Sequence, residues 1–383
     1  MATIVVDNLI LLKTIGKGNY GEVYLTQIKG RPEYYATKKM DRKFFQTPEN
    51  FRRLAGEIEI LQMIHHENII KFCGLKKTIN HYYLLTEYCN GGSLSSNLRK
   101  YMQAYRRPFT EEIIQYLMKQ IVSALYYLHF NKIIHRDLKL DNILVHYPTD
   151  YDKQQLNIMS CKVKLIDFGF ATKLNGPLTY TALGTPTNMD PKILQHIKTG
   201  IPNSGYNETV DIWSLGTLCY EMVVGHMPFS GASMEELYSK VKDGSYSLPM
   251  TLSKELVSFI NGMLQENPKK RLTATQLLNH EFLLKHPSQF HSMDARQIQG
   301  TIMPGGKIKM KTKSPQEVAN QNILLWDIFN QPGIFKGIPN QMNVQVQPQM
   351  QLPSQQPNLM IPQQQQYFIN QNPMFQNSPY GYQ

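Results

Sequence analysis

The sequence predicts an α+β chain. A small antiparallel β lobe with one helix comes first, then a larger helical lobe, then a tail with no core of its own. Three observations predict this. Residues 9–40 and 69–88 are β-branched and aromatic runs broken by Gly and Asn, which read as strands. From Thr110 onward apolar residues recur at helical spacing. Past residue 285 Gln, Asn, Pro and Met take over, and no charged residue follows Lys336. With 383 residues, 42% of them apolar, the chain has room for one large domain or two modest ones. The crevice between two lobes is where a ligand would sit.

The elements follow in order. MATIVVDNLILLK has no basic stretch ahead of its apolar residues and no small-residue cleavage site, so it reads as an entering strand rather than a signal peptide. In PENFRRLAGEIEILQMI, Phe51, Leu54, Ile58 and Leu61 repeat at helical spacing between the two strand regions. TEEIIQYLMKQIVSALYYLH opens on a Thr cap followed by acids, which satisfies free N–H groups and suits the helix dipole. HYPTDYDKQQLNIMSCKV, between Val145 and Lys164, exceeds a tight turn and reads as a surface loop, a lengthening that costs little entropy. The tail lacks periodicity and cannot bury enough apolar surface to offset ordering, so it reads as disordered and prone to self-association. One apolar island in it, ILLWDIFNQPGIF at 323–335, reads equally as a segment packing back on the domain or as a docking peptide for a partner.

Composition excludes several classes. The formal charge is +11, but Lys and Arg are spread with no run of five, so the basic surface suits phosphorylated ligands rather than nucleic acid. Cys73, Cys89, Cys161 and Cys219 form no C-x-x-C pair, which argues against disulfides or zinc and fits a reducing compartment. No apolar run approaches the ~20 residues of a membrane span, so the expected location is the cytoplasm.

Four motifs carry chemistry. In IGKGNYGEV (15–23), Gly16, Gly18 and Gly21 let a strand–turn–strand close over an anion, and a strand rather than a helix follows, unlike a dinucleotide fingerprint. Alone it is equally a Gly-rich hairpin. In YYATKKM, Lys38 is placed to reach phosphates and Glu57 on the next helix to hold its ammonium; alternation sends Lys39 to the other face. IIHRDLKLDNILV (133–145) is decisive. Asp137, Lys139 and Asn142 give a carboxylate to orient a hydroxyl, a cation for a transferring phosphoryl group, and a neutral oxygen for Mg²⁺. A polar turn does not explain three such residues between apolar anchors. KLIDFGF then supplies Asp167, a hard-cation ligand at the end of an apolar strand.

In this order the motifs resemble the eukaryotic protein kinase superfamily, with DIWSLG (211–216) and a late Arg271 also in place. The resemblance covers 9–284 and implies the bilobal protein kinase fold, 9–88 forming the small lobe and 89–284 the large one. Lys139, two residues after Asp137, resembles Ser/Thr rather than tyrosine kinases. EYCNGGSL, FGFA and LGTP resemble the Unc-51-like, autophagy-initiating branch, though calcium/calmodulin-type and NIMA-like kinases share much of them.

The resemblance implies ATP and Mg²⁺ as cofactors and protein Ser/Thr hydroxyls as acceptors. It implies nucleotide contacts from Ile15, Gly16, Lys17, Gly18, Asn19, Tyr20, Gly21 and Val23 in the glycine loop, and from Ala36, Lys38 and Glu57 behind it. Thr86, Glu87 and Cys89 would form the hinge, with Thr86 guarding the back pocket, while Asn142 and Asp167 hold the metal. Thr185 would brace Asp137 and Lys139. Arg136 before Asp137 implies a switch by phosphate on the activation loop, at Thr181 ahead of Thr179 or Tyr180. The rival reading is a pseudokinase scaffold acting through its fold and tail, but such chains commonly lack one of Lys38, Asp137, Asn142 and Asp167, and all four are here.

GTPTNMDPKIL (184–194) breaks the match. Where the family carries Ala-Pro-Glu, this chain has Asp190-Pro191-Lys192, and that Glu ordinarily pairs with the counterpart of Arg271. Lys192 in its place would leave a buried cation unpaired, at about 3–5 kcal/mol. Either Asp190 supplies the anion, or Lys192 points to solvent and Arg271 pairs elsewhere. Both alternatives put the departure on stability rather than on the phosphates.

Overall fold

The structure is a computed structural model that describes residues 4–18, 20–174, 184–199 and 205–284. Asn19, Thr179, Tyr180, Thr181 and the 285–383 tail with its 323–335 island lie outside the described residues. Two lobes follow one another along the chain. The first holds β1 (Ile4–Val6), β2 (Leu9–Gly18), β3 (Gly21–Ile28), β4 (Tyr34–Asp41), α1 (Pro48–Met63), β5 (Phe72–Lys77) and β6 (His81–Glu87). Its six strands pair antiparallel in the order β1-β2-β3-β4-β6-β5. The entering strand is in fact two, because Asp7 at φ 51° turns the chain between β1 and β2.

Alternation gives this sheet two apolar faces. Leu9, Leu11, Tyr24, Ile28, Tyr83 and Leu85 close a small core on one side. Met40, Tyr82 and Leu84 face α1 and join the main core. Thr47 caps α1, accepting from the Asn50 amide. Leu54 and Leu61 are buried as their spacing predicts, whereas Phe51, one turn from the cap, stays 39% exposed.

The second lobe contains α2 (Leu94–Tyr105), α3 (Glu111–Phe130), β7 (Ile133–Ile134), β8 (Ile143–His146), α4 (Asp150–Gln154), β9 (Lys162–Leu165) and β10 (Thr172–Lys173). It continues through α5 (Pro191–Thr199), α6 (Thr209–Val224), α7 (Met234–Asp243), α8 (Lys254–Met263), α9 (Ala274–Leu278) and α10 (Glu281–Leu284). α3 and α6 form its centre: Leu117, Met118, Val122, Leu125, Leu215, Leu218 and Cys219 are fully buried. The 146–163 stretch is not a plain loop. It folds α4 under a Thr149 cap and buries Tyr147, Ile158, Cys161 and Val163, so its apolar residues serve the core.

Behind the cleft, β9 joins the lobes. It pairs with β8 on one edge, while on the other the Leu165 amide donates to Asn68 O (2.8 Å) and the Ile70 amide donates to Leu165 O (3.0 Å). Asn68 Nδ2 donates to Gln120 Oε1 and Val163 O, and Tyr127 Oη accepts from the His65 amide, fastening the turn after α1 to α3 and β9.

Candidate active site

The segment between β7 and β8 is held from below by Asp211 near the start of α6. This fully buried carboxylate accepts from the His135 amide (2.9 Å) and the Arg136 amide (2.8 Å) and lies 3.0 Å from His129 Nε2. Burial alone would raise its pKa, but the His129 hydrogen bond and charge outweigh that and hold it below the usual carboxylate range. The next turn needs Arg136 at φ 68°, a conformation costly for a side chain with a Cβ. With the backbone fixed, Asp137 is 4% exposed at the floor of the cleft.

Four residues converge there through direct hydrogen bonds. Asn142 Nδ2 donates to Asp137 Oδ2 and to Asp137 O, both at 2.8 Å. Thr185 Oγ1 donates to Asp137 Oδ1 at 2.7 Å and accepts from Lys139 Nζ at 2.7 Å. Lys139 Nζ also lies 3.0 Å from Asp137 Oδ2. One carboxylate is thereby fixed in rotation by an amide, a hydroxyl and an ammonium, and Asn142, having spent its NH₂ group on Asp137, has its Oδ1 left to ligate. Gly184 permits the close approach of Thr185: a Cβ there would sit 2.5 Å from Arg136 O.

A second group gathers under the glycine hairpin. The Ile166 amide donates to Asn142 O (2.9 Å) and places Asp167 next along the chain, at φ 63°. Phe168 is buried with its ring edge-on to His135. Lys38 faces the cleft from β4, its register neighbours being Val23 and Leu84. Burial pulls its ammonium pKa down, but Glu57 and Asp167 outweigh this and keep it above the ordinary lysine value. Burial lifts the Glu57 carboxyl, with Lys38 opposing and Asp167 adding to the rise. The expected direct Lys38–Glu57 ion pair is not made: among the described residues the two share a field but stand beyond ion-pair distance, and Lys38 Nζ lies 5.9 Å from the Tyr20 ring centroid. Tyr20 folds under the hairpin against Phe45 (5.5 Å between ring centroids), in a cavity that Lys38, Glu57, Asp167 and Gly169 also line.

The three loop glycines differ. A Cβ on Gly21 would meet Lys39 O at 1.8 Å, so only Gly lets β3 lie this close to β4. Gly16 has ordinary room beside Val23, and Gly18 has room above Lys38 Cε at 3.9 Å. Ile15 and Lys17 lie on the outer part of β2, Ile15 40% exposed and Lys17 facing Glu22. Ala36 stands across from Thr86, which places both on the cleft face of the sheet. Glu87 turns its carboxylate to the rear, accepting from the Lys71 amide at 2.7 Å and pairing with Lys164 at 2.8 Å, and Cys89 is buried. Sequence reasoning missed Lys164 and Asp211 as parts of this arrangement, because neither shares a short motif with its partner.

Whether the residues suit a nucleotide with Mg²⁺ is a matter of donors. Among the described residues no three His, Cys, Asp or Glu side chains cluster as a complete metal cage. Asn142 and Asp167 give two oxygen ligands instead, which fits a cation that keeps waters and is completed by phosphates. Lys38 and Lys139 would provide the cations for those phosphates. The donor set fits.

At the broken match, Arg271 and Asp190 form a direct ion pair with both side chains buried. Asp190 Oδ1 also accepts from the Lys192 amide at 2.7 Å, capping α5, and Arg271 donates to Thr209 O (2.9 Å) and Gln265 O (2.7 Å) and stacks over Trp213. Lys192 is exposed. Asp190 is therefore the missing anion, and no buried cation is left over. No helix of the described residues is long and apolar enough to cross a membrane.

Comparison with known proteins agrees with this geometry. The model of the protein kinase domain matches residues 9–283. A probable serine/threonine-protein kinase MARK-A of Dictyostelium discoideum is 32% identical over 85% of this chain and 28% of its own length. Serine/threonine-protein kinase PLK4 of Drosophila melanogaster is 31% identical over 73% of this chain and 33% of its own. Protein kinase C epsilon type of Oryctolagus cuniculus is 32% identical over 80% of this chain and 39% of its own. The chain thus spans about a third of the length of the curated relatives it matches. Their names differ at nearly equal identity, so they identify the family and not the Unc-51-like branch. On the domain match and the converging Asp137, Lys139, Asn142 and Thr185, the chain belongs to the protein kinase family.

Proposed function

We propose that this chain is a serine/threonine protein kinase that transfers the γ-phosphoryl group of ATP to protein hydroxyls. The observation that carries the reading is the Asp137 carboxylate, gripped by Asn142 and Thr185 while Lys139 reaches the same threonine. Asp137 orients the acceptor hydroxyl and takes its proton, and Lys139 offsets charge on the phosphoryl oxygens. Lys38, kept cationic by Glu57 and Asp167, holds the other phosphates. Mg²⁺, when bound to Asn142 and Asp167, neutralises phosphate charge. Fixed position and fixed charge account for most of the catalysis, because phosphoryl transfer needs little covalent help.

The test is incubation of the purified full chain with Mg-ATP and a degenerate Ser/Thr peptide library, with Asp137→Asn in parallel. The parent should phosphorylate and the variant should be slower by at least about 10²-fold, the range for loss of a positioned base. Equal rates would sink the role given to Asp137. No transfer by the parent would leave the scaffold reading.

We further infer regulation by activation-loop phosphorylation. Arg136 donates Nε to Phe170 O at 2.5 Å and Nη1 to Tyr206 Oη at 3.3 Å, and among the described residues no carboxylate pairs with it. A phosphate on Thr181 would supply an anion. Thr181→Ala should lower activity; unchanged kinetics together with a parent protein unmodified at Thr181 by mass spectrometry would reject the switch.

A further inference from the structure

The chain leaves the hinge through Asn90, Gly91 and Gly92 and enters α2 behind its cap, Ser93. This stretch pairs with β8 as a short antiparallel ladder: the Gly91 amide donates to Val145 O and the Val145 amide to Gly92 O, both at 2.8 Å. No side chain fits between them, because a Cβ on Gly91 would sit 2.6 Å from Val145 O and 3.0 Å from the Tyr147 ring. The Asn90 carboxamide adds the next rung in place of backbone. Its Nδ2 donates to Tyr147 O at 3.0 Å, and its Oδ1 accepts from the Tyr147 amide at 2.8 Å. Tyr147 then reaches back. Its Oη donates to Asn97 Oδ1 at 2.9 Å, and Asn97 Nδ2 donates to Gly91 O at 2.9 Å and to Ser93 O at 2.7 Å. Burial pushes the Tyr147 phenol pKa up, so the hydroxyl keeps the proton it donates. Tyr147 and Asn97 are each 1% exposed, which shields these bonds from competing water.

We propose that Tyr147 is a positioning residue for the nucleotide: through Asn90 and Asn97 it fixes the path of the chain leaving the hinge, and so the edge of the cleft on which the nucleotide seats. It rests on the reading of the cleft as a nucleotide site. The ring of hydrogen bonds closes on both ends of the exit, Asn90 at its start and Ser93 at the cap of α2, so neither end shifts alone. The ladder rests on β8, which begins at Ile143 directly after Asn142, so the hinge side and the metal side of the cleft share one support. Small misplacements of a bound group cost much of its binding and reactivity. Among the described residues, Tyr147 and Asn97 make no hydrogen bond to Asp137, Lys139 or Thr185, so losing the ring acts on nucleotide affinity and not on transfer. The first residue after β8 thus serves the cleft, although the stretch it opens reads in the sequence as a surface loop.

Equilibrium titration of the full chain with fluorescent N-methylanthraniloyl-ADP in Mg²⁺, beside initial rates on a Ser/Thr peptide library at varied ATP, reads this directly. Tyr147→Phe keeps the ring in the core and removes only the hydroxyl. It should weaken nucleotide binding and raise the KM for ATP roughly three- to tenfold, as for the loss of one buried hydrogen bond. Its kcat at saturating ATP should stay within about twofold of the parent, the split expected when binding is lost and transfer is not. Parent-like affinity in Tyr147→Phe overturns the proposal, whatever its melting temperature, because a merely structural role lowers Tm and leaves affinity alone. A fall in kcat with parent-like affinity overturns it as well. If Tyr147→Phe does not fold, Asn90→Ala carries the test, since it opens the same ring from the half-buried side; weaker nucleotide binding supports the proposal and parent affinity overturns it. A parent chain that binds no Mg-nucleotide removes the kinase reading and this role with it, whereas tight binding in parent and variants alike removes this role alone.

Discussion

At residue scale, the largest departure from the family pattern resolves into a relocated charge. Asp190 does two jobs, pairing with Arg271 inside the large lobe and capping α5 through the Lys192 amide. Burial lowers the Arg271 pKa and the Asp190 carboxylate opposes that, so either ion alone would be poorly placed. Asp190→Ala should therefore destabilise by about 3–5 kcal/mol, because it strands a buried guanidinium. Lys192→Glu should change stability by no more than about 0.5 kcal/mol, as for an ordinary surface site. Denaturant unfolding of the two variants separates these cases. A large gain from Lys192→Glu would mean that Arg271 lacks an adequate partner. The contiguous block from His135 to Asn142 was readable in the sequence because its chemistry lies within eight residues. The Asp190–Arg271 pair spans eighty-one residues, and only the fold could choose between the two alternatives the sequence left open.

At element scale, what the sequence showed well was periodicity, and what it hid was tertiary demand. α1 and α3 were legible from spacing and caps, but the stretch after β8 looked polar enough for a loop while Tyr147, Ile158 and Cys161 were needed in the core. The turn after α1 shows the same limit. His66 has Nε2 at 3.1 Å from Ser123 Oγ on α3, and its Nδ1 accepts from the Asn68 amide at 3.0 Å. Burial pushes its pKa down from 6.5 to about 4, with Glu67 opposing and Lys164 adding. A depressed folded-state pKa means the unfolded chain takes up a proton first as pH falls. The stability held by neutral His66 is thus complete above about pH 6.5 and is lost between there and about pH 4, to the extent of roughly 3 kcal/mol. His66→Gln should flatten this part of the stability–pH curve. If parent and variant lose stability in parallel over that window, His66 does not carry the dependence.

At the scale of the whole molecule, the site exists only where the lobes meet, so nucleotide binding and global stability are linked. Lys38 and the glycine hairpin come from the small lobe, Asp137, Asn142 and Thr185 from the large one, and β9 with Asp167 runs between them. A ligand held by both lobes binds the folded chain and not the unfolded one, and at a hundredfold excess over its Kd adds about 2.7 kcal/mol of stability. For a domain of this size such a gain raises Tm by roughly 5–10 °C. Lys38→Met keeps a stem of similar length and removes the cation that faces Glu57 and Asp167, so its Tm should rise much less with the same Mg-nucleotide. The variant also leaves two carboxylates without their shared cation, which lowers its Tm before any ligand is added. The comparison is therefore the ligand-induced shift within each protein, measured by differential scanning calorimetry with Mg²⁺ alone and with Mg-ADP. An equal shift in parent and variant would place the bound nucleotide away from Lys38, and the assignment of the small lobe's half of the site would have to be given up.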